Sequence, residues 1–176
     1  MTEQQALQVI RDEIDDTDLQ IQALLNKRAA MAEEVARIKI ASGEQGGDFY
    51  RPEREAMVLR QVMERNEGPL DAKEMARLFR EIMSACLAAE KPLQVAYLGP
   101  EGSFTQAAAL KQFGGSVELQ SMSTIADVFH EVETGNASYG LVPVENSTEG
   151  MVSHTLDRFL ASPLKINGEV SLRIHH

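Results

Sequence analysis

The 176-residue chain is long enough for one large domain or two small ones, and its 43% apolar content is ordinary for a folded protein. Seventeen basic against twenty-seven acidic side chains give a net charge of -10, which argues against nucleic acid or an anionic membrane as partner, so a small anion must be met by locally gathered cations. The lone Cys86 excludes an internal disulfide framework, no apolar run is long enough to span a membrane, and the start MTEQQ lacks a signal-peptide layout, so a cytoplasmic location is expected.

Leu7, Ile10, Ile14, Ile21, Leu24, Met31, Val35 and Ile38 recur at threes, fours and sevens, which predicts one helix over residues 4–41, about 55 Å long. Such a helix is too long to bury its stripe within a monomeric 90-residue domain. Glycines in residues 43–47 break it, Pro52 opens a second helix that ends before Gly68-Pro69, and Leu70-Asp71 opens a third. Asp71 and Glu74 can cap that third helix reciprocally, and Met75, Leu78, Phe79, Ile82, Met83 and Cys86 form its buried face. One long and two shorter helices suggest a bundle in which two chains share a core.

Arg28 interrupts the first stripe between Leu24 and Met31, with Arg11 and Lys39 beside its ends. A buried cation needs an anion. Two sources are open: internal pairing, as of Arg11 with Asp15 or Asp18, or a bound ligand. Arg28 and Lys39 are eleven residues apart, close to three turns, so they face one side about 16 Å apart and their long side chains can converge. Arg11 lies about 25 Å from Arg28 along the helix, too far to join the same small site from the same chain, whereas an antiparallel partner would bring it there.

Beyond residues 91–93 the pattern changes to short apolar runs separated by Gly and Ser. Residues 95–98, 117–119 and 139–144 read as strands alternating with helices at about 104–113 and 125–134, a βαβ organisation with a parallel sheet. Ser103 and Gln106 fit a capping box at the start of the first of these helices. The stretch GPEGSFT, residues 99–105, could hold a carboxylate or phosphate at that helix N-terminus, but it matches neither the phosphate loop nor the dinucleotide fingerprint. With Glu145, Asn146, Ser147 and Thr148 it lies at the carboxyl ends of the strands, where such sheets bind ligands. Ser147 has no evident His and Asp partners for a hydrolase role. The expected fold class is therefore α+β in two parts: an all-α three-helix bundle over residues 1–90, then a partial α/β lobe over residues 94–176.

Arg11, Arg28, Lys39, the segment RPERE at residues 51–55 and the third helix ending in CLAAE at residues 86–90 closely resemble the all-helical class of chorismate mutase. That resemblance implies an intertwined homodimer converting chorismate to prephenate by a [3,3] rearrangement, with no metal, no cofactor and no covalent intermediate. It implies that Arg28 and the partner chain's first arginine, Arg11, clamp the two carboxylates, that Lys39 donates to the ether oxygen, and that Glu55 takes the substrate hydroxyl. Arg51, Arg54, Cys86 and Glu90 complete the substrate-binding set. Arg51 stands where many members have Asp, and Cys86 where many have Ser, so Arg51 either takes another role or faces solvent, and Cys86 either walls the pocket or packs the core. Glu90 falls where members use Gln or Glu to donate to the ether oxygen, a task only a protonated carboxyl can perform.

The runs VAYLGPEGSFTQAAALKQFG and YGLVPVENSTEG resemble the start of prephenate dehydratase, and the order resembles the bifunctional enzymes of phenylalanine biosynthesis. By that resemblance the lobe is one half of a two-lobed, periplasmic-binding-protein-like domain, and Glu145, Asn146 and Ser147 face prephenate in the cleft. In the family the Thr-Arg-Phe segment falls well beyond residue 176, and Asp157-Arg158-Phe159 is a decoy that lacks the threonine, so this polypeptide is expected to have no dehydratase activity and residues near 160–176 to be poorly anchored. A noncatalytic module, with dimerising helices and a lobe that binds an aromatic metabolite, is the competing reading. Dimerisation alone, however, needs no cations along an apolar stripe.

Overall fold

A computed structural model describes residues 2–41, 50–90, 92–146 and 150–173. They fall into two compact units, Met1–Gln45 and Gly46–His176.

The first unit is the helix α1, Glu3–Ala41. Thr2 opens it with a capping box that the sequence reading does not anticipate: the Thr2 hydroxyl accepts from Gln5 N–H, and Thr2 N–H donates to Gln5 Oε1 at 2.8 Å. The eight stripe residues are each between 47% and 65% exposed, and Ala36 is buried.

The second unit opens with α2, Pro52–Glu64, and α3, Ala72–Glu90. Pro52 sits in the first turn of α2, where its missing N–H costs no hydrogen bond. The Asp71 carboxylate caps α3, accepting from the N–H groups of Lys73 at 2.7 Å and Glu74 at 2.9 Å. The return half of the expected cap does not form, because Glu74 turns to Arg77 three residues on. The guanidinium is the stronger partner for an exposed carboxylate. α2 and α3 pack on each other, burying Leu59 and Val62 of one and Ala76 and Cys86 of the other.

Three parallel strands follow in the order β2-β1-β3: β1 Gln94–Leu98, β2 Glu118–Met122 and β3 Tyr139–Leu141. The crossovers carry α4, Phe104–Phe113, and α5, Ile125–Glu133. Alternation along β1 sends Val95 into one core with Ala109 and Phe113 of α4, and Ala96 into another with Val128 of α5, so the sheet is covered on both faces. The helix predicted at 104–113 is found there, its N-cap Ser103 accepting from Gln106 N–H at 3.3 Å. Gln106 reaches back one residue further than expected, to Gly102 N–H at 2.6 Å.

Two stretches of the chain depart from the sequence reading. The strand expected over 139–144 ends at Leu141, since Pro143 has no N–H to give to a ladder. Beyond the elements that the sequence predicts, the chain holds a short antiparallel pair, β4 Glu145–Asn146 with β5 Gly150–Met151, and the helix α6, Ser153–Ala161. The fully buried Thr155 hydroxyl donates to the Pro143 carbonyl at 2.6 Å, tying α6 to the segment after β3. Residues 162–173 have no regular structure but are held at two points, where Ser162 Oγ donates to Glu133 and Lys111 Nζ to the Ser171 carbonyl, both at 2.6 Å.

Within this unit α3 docks on the lobe. Its Glu81 carboxylate accepts from Gly115 N–H at 2.9 Å, and its Ser84 hydroxyl accepts from Ser116 N–H at 3.3 Å. Gly114 ends α4 with φ near +81°, and a Cβ there would lie 2.5 Å from Ser84 Cβ. Left-handed strain and the clash act together, so Gly114→Ala is expected to cost about 2–4 kcal/mol, read as a lower thermal midpoint that Ser84→Gly partly restores. An unchanged midpoint would contradict this docking. Among the described residues no helix is long and apolar enough to cross a membrane.

Candidate active site

α2 carries Glu55, Leu59 and Val62 at helical spacing, so a carboxylate occupies the first step of a buried stripe. Its partner comes from α3: Arg80 Nε donates to Glu55 Oε1 at 3.3 Å, with the two side chains only 28% and 13% exposed. Burial pushes the Glu55 carboxyl above the usual glutamate range, against the pull of Arg80 and of Tyr50. Tyr50, just ahead of α2, is buried and its phenol pKa is raised, by burial first and then by the nearby Glu55. Its hydroxyl lies beside Glu55 and Gln112 yet meets neither in good hydrogen-bond geometry.

The remaining predicted positions are placed as follows. Arg51 and Arg54 are exposed at the start of α2, and Arg51 supplies the extended N-cap backbone without a side-chain cap. Cys86 is a buried free thiol on α3. Glu90 is the last residue of α3, and its side chain lies outside the described residues. Arg11, Arg28 and Lys39 all lie on α1, in the other compact unit, with Arg28 and Lys39 half-buried and Arg11 exposed. Arg11 forms no ion pair with Asp15 or Asp18, whereas Arg37 pairs with Glu34 on the same helix.

In the lobe, β1 lies between β2 and β3, and the chain crosses over β1 to reach β3, which makes the β1/β3 edge a topological switch point. The turn before α4 and residues 142–146 follow the carboxyl ends of these two strands. Glu145 is exposed on β4, Asn146 pairs with Gly150 through its backbone, and Ser147 lies outside the described residues. Among the described residues no group of His, Cys, Asp or Glu is placed to hold a metal ion.

Comparison with known proteins gives two adjacent matches: residues 10–91 to Chorismate mutase type II, and residues 95–176 to Prephenate dehydratase. A bifunctional chorismate mutase/prephenate dehydratase from Stutzerimonas stutzeri is 59% identical over 178 residues, covering 100% of this chain and 49% of that protein. The chain joins a chorismate mutase type II region to a prephenate dehydratase region. Proteins of the same name from Pseudomonas aeruginosa and Escherichia coli are 56% and 31% identical, in each case over 100% of this chain and 49% of the relative. The chain thus spans about half the length of the curated relatives it matches. A solved chorismate mutase from Thermus thermophilus is similar at 30% identity and a TM-score of 0.45, over 49% of this chain and 94% of that one.

In the mutase region the sequence reading missed Arg80 and Tyr50. Arg80 stands one position after Phe79 and three before Met83 on a face read as apolar, and a cation there calls for an acidic partner. Tyr50 borders the glycine-rich break and carries no periodic mark.

Proposed function

We propose that the chain is a chorismate mutase that works as an intertwined homodimer. The observation that carries the reading is the type II mutase match over residues 10–91 together with three cations on one long helix whose apolar stripe is left half exposed. Eight half-exposed apolar residues forgo about 1 kcal/mol each, roughly half the value of full burial, and together that is enough to favour pairing with a second copy. In an antiparallel pair Arg11 of one protomer comes within reach of Arg28 and Lys39 of the other.

The rearrangement needs little from a catalyst beyond a compact dicarboxylate conformer and stabilisation of the charge that grows on the ether oxygen as the C–O bond breaks. Arg28 and the partner's Arg11 clamp the carboxylates with bidentate guanidinium geometry. Lys39 and a protonated Glu90 donate to the ether oxygen, Glu55 accepts the substrate hydroxyl, Cys86 forms part of the wall, and Arg51 and Arg54 border the entrance. Residues 94–176 are read as one lobe of a periplasmic-binding-protein-like dehydratase domain, with Glu145, Asn146 and Ser147 toward prephenate.

Following chorismate absorbance with the purified protein tests the reading. Consumption above the spontaneous rate is expected, and its absence at both pH 5 and pH 7.5 would favour the noncatalytic module. Since only a protonated Glu90 can donate, activity is expected to rise as pH drops below neutral, and Glu90→Gln is expected to flatten that dependence. A Glu90→Gln profile identical to the parent's removes Glu90 from the chemistry.

A further inference from the structure

The Tyr50 ring is held edge-on by two aromatic rings of the α/β lobe, Phe113 at 5.5 Å and 61° and Tyr139 at 5.4 Å and 88°. It shares a core with Leu93, Val95 and Ala109. Its 7% exposure leaves the ring little room to leave. The hydroxyl at its far end is buried without a hydrogen bond of its own, a costly state for a phenol, and the carboxylate beside it is Glu55. That carboxylate receives a single donor from Arg80, at 3.3 Å, longer than a strong charge-assisted bond. A carboxylate short of donors therefore lies next to a donor short of an acceptor.

We infer that Tyr50 is a positioning residue for Glu55: its hydroxyl supplies the second donor to the carboxylate, and the lobe's aromatic cluster holds the ring that carries it. The orientation of a mutase carboxylate is thereby set by the neighbouring α/β lobe. The catalytic part of this inference rests on the proposed role of Glu55. The groups that face the pair are Arg80 from α3, Gln112 from α4 and Tyr139 from β3.

The test uses the full chain and two readouts. The first is the titration of the Glu55 side-chain carbon by 13C NMR in the parent and in Tyr50→Phe. Removing a donor from the charged form is expected to move the Glu55 transition to higher pH. Phe113→Leu, which keeps the hydroxyl but loosens the ring, is expected to move it the same way by less. An unchanged Glu55 transition in Tyr50→Phe overturns the inference, and an unchanged one in Phe113→Leu overturns the lobe's part in it. The second readout is mutase kinetics: Tyr50→Phe is expected to lower kcat/KM about 3–10-fold with its acid limb shifted to higher pH, and to have no further effect in a Glu55→Gln background. Equal losses in both backgrounds would show that Tyr50 does not act through Glu55. If the parent itself consumes no chorismate, the mutase reading fails, while the NMR titration still decides the Tyr50–Glu55 link.

Discussion

Replacing Arg28 by alanine is expected to lower kcat/KM for chorismate by about 10²–10³-fold, the loss that follows when one preorganised charged donor is taken from a developing anion. The far-ultraviolet circular dichroism should not change, because alanine is at least as good a helix former as arginine in the middle of α1. Arg28→Lys keeps the charge but loses the planar fork, so its activity should fall between the two. Steady-state kinetics on the three proteins checks this order. Full activity in Arg28→Ala would remove the clamp from the mechanism, and full activity in Arg28→Lys would show that charge alone suffices.

The second large effect concerns stability. Arg80→Ala leaves Glu55 as a buried carboxylate without its ion-pair partner, and the expected cost at pH 8 is about 2–4 kcal/mol. The sign of its pH dependence follows from the direction of the Glu55 shift. Burial already holds the carboxyl above the usual range, so the native state binds this proton more tightly than the unfolded chain does. Stability contributed by Glu55 is present at low pH and is lost as pH rises through its raised pKa. Without Arg80 to oppose burial, the shift grows and the loss at alkaline pH deepens, while the cost shrinks toward acid pH as the carboxyl takes up its proton. Urea unfolding at pH 5 and pH 8 measures both, and adding Glu55→Gln should recover most of the loss at pH 8. An equal cost at the two pH values would show that Arg80 acts through packing of its stem and not through charge.

How much of this is legible in the sequence depends on how local each cause is. The long α1, the start of α2 at Pro52 and the cap at Ser103 follow from residues within a turn of one another, and all three stand where the sequence puts them. β2 runs longer than predicted because Glu118, Gln120 and Ser121 dilute its apolar pattern, which an edge strand paired on one side only tolerates. The pair β4–β5 is two residues to a strand, too brief for any periodicity. The ion pair between Glu55 and Arg80 spans 25 residues and exists only because α2 and α3 pack together, which no window along the chain contains. Tyr50 is a still longer-range case, since the residues that bury it come from β1, α4 and β3.

Mixing two inactive variants tests the shared site most directly. If each site takes Arg28 from one protomer and Arg11 from the other, a dimer of Arg11→Ala with Arg28→Ala contains one intact site and one doubly defective site. Unfolding the two variants together and refolding them should then restore about one quarter of the parental mutase turnover, while either variant refolded alone stays inactive. No recovery in the mixture, with mixed dimers verified by mass, would contradict a site built across two chains.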